Sequence, residues 1–156
     1  MQFKYHFPQS KILAFEIHNE NYKLLKYNTS KLSGVKTFNV GIGSRTSIVN
    51  YNDGHQFNCG VVKVDSAGTN HNIVLKLDDL KLDDKVSFIK IDIEGHELSA
   101  LEGMVNILIT DKPKIWIEDL TPNKNAINFL ELLGYRVIDK ALDKNANQYY
   151  DYFLSI

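Results

Sequence analysis

At 156 residues, with 44% hydrophobic and 24% charged content, the chain has the size and composition of one globular domain with its own core, and residues 1–156 are expected to form a single domain. A formal net charge of -1 supplies none of the sustained positive field that binding a phosphate backbone requires, which argues against nucleic acid as a partner. The single cysteine, Cys59, excludes an internal disulfide and any paired-thiol zinc or redox site, and no run of about 18 apolar residues offers a membrane span, so a cytoplasmic, soluble protein is expected.

Residues 11–17 are a short apolar run that carries Glu16 near its end, which suits a strand of a parallel sheet buried on both faces. Asn19 can cap the helix expected next, with Tyr22, Leu25, Thr29 and Leu32 on one face and Gly34 as its stop. Residues 35–40 then read as a second strand. Strand, helix and strand within about 35 residues make a βαβ unit, which implies parallel pairing and a right-handed crossover.

The middle of the chain differs. Residues 46–51, 60–64 and 72–77 alternate between apolar and polar and are separated by Asn, Asp, Gly and Ser clusters, which predicts hairpins running along one sheet edge. The α/β rhythm resumes with a strand over 86–93 and a helix that places Leu98, Leu101, Val105 and Leu108 on one face. Residues 114–118 are the next strand. Thr121 and Pro122 suit the cap and first turn of a helix that turns Ile127, Leu130 and Leu133 inward and stops at Gly134. Two last strands, 135–139 and 149–155, are separated by a short turn, which predicts that the second runs antiparallel.

In open parallel sheets the ligand crevice lies beyond the carboxyl ends of the strands. Four acids close apolar strands here: Glu16, Asp92, Glu94 and Glu118. Glu16 stands where nucleotide-binding sheets place a carboxylate that accepts hydrogen bonds from both ribose hydroxyls; the alternative is a surface acid at a strand end. A phosphate-cradling glycine loop normally precedes such an acid by roughly 20 residues, which would put it before Met1. Gly41-Ile42-Gly43 is no substitute, because Thr46 stands in place of a third glycine and no helix pattern follows, so it reads as a turn.

Asp92 and Glu94 are two residues apart, about 7 Å on a strand, and so share a face unless the strand ends before them, as Gly95 suggests. Two carboxylates in a crevice can take a proton from a hydroxyl nucleophile, hold a divalent ion or fix substrate hydroxyls; alternatively one of them caps the helix that begins near His96. A zinc-protease His-Glu-x-x-His is excluded because Ala100 follows His96-Glu97 where the second histidine would stand. No metal is assigned.

Residues 88–98, Phe-Ile-Lys-Ile-Asp-Ile-Glu-Gly-His-Glu-Leu, continuing to Leu101-Glu102-Gly103, resemble the signature stretch of the FkbM methyltransferase family. Ala14-Phe15-Glu16 with Asn21-Tyr22-Lys23-Leu24-Leu25 resembles that family's second strand and helix, Leu77-Asp78-Asp79-Leu80 its segment before the signature, and residues 113–118 and Leu133-Gly134-Tyr135 its later strands. The likeness runs over residues 11–156. It implies an α/β fold, a Rossmann-like class I methyltransferase sheet, mostly parallel with an antiparallel last strand. It also implies S-adenosylmethionine as cofactor and a hydroxyl of a small metabolite or sugar as methyl acceptor. By the match, Glu16 takes the ribose, with Phe15, Ile17, Ile42 and Asp92 completing the cofactor surface, while Asp92 and Glu94 lie near the acceptor and do the catalytic work. Asn58 and Gly60 resemble a small polar motif of the family's middle loop. The family's first strand and glycine loop should precede Glu16, and residues 1–10 resemble only the tail of the following helix. On that reading the chain is truncated at its amino terminus, and two alternatives follow: a methyltransferase, or a non-catalytic remnant that associates through exposed strand edges.

Overall fold

A computed structural model describes residues 2–52, 63–64, 67–119, 121–143 and 148–156. The chain divides into two compact units, Met1–Ile42 with Ser47–Val74 and Gly43–Thr46 with Leu75–Ile156. Cys59, Asn58 and Gly60 lie outside the described residues. No helix among the described residues is long and apolar enough to cross a membrane.

The first unit opens with helix α1 (Gln2–His6), strand β1 (Ile12–Phe15), helix α2 (Asn19–Thr29) and strand β2 (Val35–Phe38). The Lys4 ammonium donates 2.6 Å bonds to the carbonyls of Pro8 and Ser10, so a buried lysine closes the turn between α1 and β1. β1 and β2 pair in parallel from Ile12↔Val35 to Phe15↔Phe38, as the βαβ spacing predicts. On α2 the expected face of Tyr22, Leu25 and Thr29 is half-buried while Leu24 and Tyr27 face out. The cap differs from expectation. His18 precedes the helix in extended backbone and its Nδ1 accepts the Asn21 N–H at 3.3 Å; Asn19 is already the first helical residue.

The predicted hairpin region forms a sheet of its own instead of continuing a sheet edge. Strands β3 (Gly41–Ile42), β4 (Ser47–Asn52), β5 (Lys63–Val64) and β6 (Asn70–Leu75) lie in the order β3-β6-β4-β5, with β4 antiparallel to both β5 and β6. Gly41 and Ile42 are therefore strand where a turn was expected. Alternation explains the sheet: Tyr51 and Val74 are buried, whereas Ile48 and Ile73 stand opposite each other on the exposed face.

The second unit begins with a single 3-10 turn (Leu77–Asp79), followed by β7 (Phe88–Ile91), α3 (Glu97–Glu102), α4 (Val105–Thr110), β8 (Lys114–Glu118), α5 (Asn125–Leu132), β9 (Arg136–Asp143) and β10 (Gln148–Ser155). The strand order is β7-β8-β10-β9. β7 and β8 are parallel, and β10 runs antiparallel to both β8 and β9, so the last strand behaves as predicted. The described strands thus form three sheets where one mostly parallel sheet is expected: β1 with β2 is parallel, β4 is antiparallel to both its neighbours, and the sheet of the second unit is mixed.

The single helix predicted after β7 is broken into two. The Gly103 carbonyl accepts the Asp78 N–H at 2.9 Å, and the Asp78 carboxylate accepts the N–H groups of Asn106 and Ile107, so the 3-10 turn caps α4 and interrupts the ladder. A Cβ at Gly103 would stand 1.9 Å from the Gly43 carbonyl oxygen, which accounts for glycine there. The buried face accordingly comprises Ala100, Leu101, Met104, Ile107 and Leu108. Thr121 and Pro122 do not open α5. Lys124 precedes it in the left-handed region, and the buried Asp119 carboxylate accepts from Thr121 N–H and Ile127 N–H to hold the turn. Ile91, Ile115, Ile117, Leu130 and Leu154 form the centre of this core, each burial stabilising by about 1.5–3 kcal/mol.

Candidate active site

Two groups of predicted residues are built, one in each unit. In the first, β1 delivers Phe15, Glu16 and Ile17 to its carboxyl end. Phe15 stacks on its cross-strand partner Phe38, with ring centroids 5.2 Å apart and planes at 18°. Glu16 Oε1 accepts the His18 N–H at 2.8 Å, and Asn39 Nδ2 donates to the Glu16 carbonyl at 2.9 Å. Asn72 Nδ2 donates to the Ile17 carbonyl at 2.8 Å, and Ile17 also lies against Gly41, next to Ile42. Side-chain amides thus satisfy the carbonyls that β1 leaves at its end, and the Glu16 carboxylate is oriented by a neighbouring backbone donor.

The Glu16 carboxylate keeps capacity for further donors. A carboxylate has about four acceptor directions, and one backbone bond leaves enough for two adjacent hydroxyls. Sequence reasoning missed Asn39 and Asn72, since an asparagine's long-range carbonyl partner has no local signature.

In the second unit, β7 ends at Ile91 and the acids lie past it. Glu94 takes φ 56 and Gly95 φ 95, so the chain turns sharply at left-handed positions before α3. Neither Asp92 nor Glu94 caps that helix. Glu97, buried just inside it, accepts the Gly95 N–H at 2.9 Å through Oε1 instead. Both predicted catalytic acids are therefore available for other work.

They are joined by Glu118. Carboxylate oxygens of Asp92, Glu94 and Glu118 lie within 4.8 Å of one another. The register explains why: Ile91 is paired with Ile117, so the next residue on each parallel strand, Asp92 and Glu118, emerges side by side. Lys90, two residues before Asp92 on the same face, puts Nζ 2.8 Å from Asp92 Oδ2. That bond, outweighing the cost of partial burial, holds the Asp92 carboxyl below the usual aspartate range. Glu118 goes the other way: burial first, then the charges of Asp92, Glu94 and Asp151, push it up to about 7. Asp151, opposite Glu118 on β10, is fixed by the Trp116 indole N–H at 2.8 Å. Such an acid cluster can fix hydroxyls or share a proton, and its own lysine already supplies it with a positive charge.

The sequence profile described as "Methyltransferase FkbM domain" matches residues 1–137. Among solved structures, the chain is similar in fold to methyltransferase FkbM from Methylobacillus flagellatus KT, whose crystal structure extends to 2.20 Å resolution, with a TM-score of 0.66 and 22% identity over 94% of this chain. The chain spans 36% of the length of that protein. No curated protein matches. The profile match covers most of the chain, including β1, the acids that follow β7, and Glu118 at the end of β8, and on that ground the chain belongs to the FkbM methyltransferase domain family.

Proposed function

We propose that the domain is a cytoplasmic methyltransferase that moves a methyl group from S-adenosylmethionine to a hydroxyl oxygen of a small metabolite or sugar. The observation that carries this reading is the convergence of Asp92, Glu94 and Glu118 where β7 and β8 end, in a chain matched by the FkbM profile. The cofactor, when bound, supplies an electrophilic methyl on a sulfonium. Glu16 would hold its ribose hydroxyls, with Phe15, Ile17 and Ile42 as apolar neighbours.

The acids beyond β7 act on the acceptor. An ionised carboxylate accepts a hydroxyl hydrogen bond strongly, which fixes the oxygen's direction of approach. Holding that oxygen in line with the methyl supplies most of the acceleration, because a two-body encounter becomes an oriented one. Asp92 and Glu94 orient the hydroxyl.

Calorimetry tests the reading. S-adenosylmethionine should bind saturably, and Glu16→Ala should weaken binding at least tenfold, the loss of about 1.5–3 kcal/mol expected for hydrogen bonds to a charged group. Absence of binding at millimolar cofactor would sink catalysis by this chain on its own. One observation favours the second reading, a non-catalytic module that self-associates: β1 and β7 each end a described sheet, with a strand neighbour on one side only. Sedimentation separates the two, since edge pairing predicts a concentration-dependent increase in mass that saturating cofactor does not reverse.

A further inference from the structure

We propose that Glu118 is the group that receives the acceptor's hydroxyl proton, while Asp92, paired with Lys90, holds that hydroxyl in place. This assignment rests on the methyl-transfer reading above and divides its labour between two neighbouring carboxyls.

The geometry makes the two unequal. Asp92 and Glu118 leave adjacent parallel strands at equivalent positions, and with Glu94 their oxygens come within 4.8 Å of one another. Three carboxylates at that separation repel, so a proton is retained among them. Lys90 decides where it is not kept, because its ammonium sits 2.8 Å from Asp92 and favours the charged form there. Glu118 faces acids instead: Asp92 and Glu94 from the β7 side and Asp151 from β10, the last held in place by Trp116. The cation on the α5 side, Lys124, is engaged elsewhere, on the Asp119 carbonyl and over the Tyr152 ring.

A carboxyl that titrates close to neutral, as Glu118 does at about 7, is a far better proton acceptor at physiological pH than one held low by a lysine. The acceptor's O–H bond breaks and the proton passes to a Glu118 oxygen. The electron pair left on the acceptor oxygen forms the new C–O bond to the methyl, and the pair of the broken C–S bond stays on the donor's sulfur, leaving a neutral thioether.

Carboxyl-labelled glutamate in the full chain allows the proton to be followed directly by carbon NMR, the Glu118 resonance being the one lost in Glu118→Gln. We expect it to titrate near neutral pH and, in Asp92→Asn, to fall toward the ordinary glutamate range. With methyl-labelled S-adenosylmethionine and a pooled set of sugars and hydroxylated metabolites, Glu118→Gln should lower transfer by about 100-fold or more and abolish its rise through neutral pH, with cofactor affinity unchanged. A Glu118 resonance that titrates in the ordinary acid range, or a Glu118→Gln variant that transfers at the parental rate, overturns the assignment and leaves the methyl-transfer reading standing. Failure of the parental chain to bind the cofactor or transfer a methyl group overturns both.

Discussion

Glu16 and Asp92 follow strands of the same kind, short, apolar and parallel-paired, yet the two strand ends are built differently. At the end of β1 the carboxylate meets a backbone N–H, and side-chain amides from Asn39 and Asn72 secure the carbonyls around it. At the end of β7 the carboxylate meets other carboxylates and one lysine. Neutral donors orient an acid without altering what it can accept, which suits the holding of hydroxyls. Like charges make a cluster compete for protons, which suits moving one. Two carboxylates at equivalent strand positions are thereby suited to two tasks by their neighbours.

The contrast is broken most severely by disturbing the backbone under the acid cluster's unit. Gly103→Ala should destabilise the protein by about 3 kcal/mol, at the upper end for overpacking, because the new Cβ meets the Gly43 backbone, which cannot rotate away. Urea unfolding monitored by circular dichroism checks this; an unchanged midpoint would mean that the two segments are not packed as described.

A pH experiment sharpens the comparison. Glu118 binds its proton more tightly folded than unfolded, so the folded state carries the extra proton as pH rises from 4.5 to about 7, and stability falls across that window. Asp92 contributes the opposite sign: its stabilisation is present above 3.8 and is lost as pH falls through its lowered folded value. Glu118→Gln should therefore flatten the decline between 4.5 and about 7 while leaving the acid-side loss in place. Urea midpoints taken across both windows would show a parallel shift instead if the cluster did not share a proton.

At the other strand end, Asn72→Ala should cost about 1 kcal/mol, the usual net value of one hydrogen bond, and should loosen the loop that carries Glu16. Hydrogen exchange at His18 reads that loosening. The smallest effect belongs to Glu20→Ala. Its ion pair with Lys23 is 2.6 Å long, but both side chains are about two-thirds exposed, so a stability change of about 0.3 kcal/mol or less is expected. A larger change would mean that α2 depends on its surface charges more than on its half-buried face.

Much of this was legible in advance where a local pattern carries the information. Apolar runs closed by acids located β1, β7 and β8, although β1 is not buried on both faces as expected, since Leu13 is exposed, and β8 alternates exposed with buried positions. The signature around Asp92 and Glu94 pointed to the family, and Glu118 was recognisable as an acid at a strand end. Nothing local assigned Glu118 its partners. The Lys90 to Asp92 pairing was the nearest to readable, since residues two apart on a strand share a face.

By itself the sequence determined most of the helices and strands, Gly41-Ile42 and the break between α3 and α4 excepted, and which acids stand at strand ends, because alternation and turn chemistry act over a few residues. Tertiary structure alone decided that Asp78 breaks the helix after β7 and that the hairpin region forms its own sheet. It also decided that Asp92 and Glu118 share one environment. Each of these outcomes depends on which strand or loop lies alongside another, and a register between segments distant in the chain is set by packing, not by neighbours in sequence.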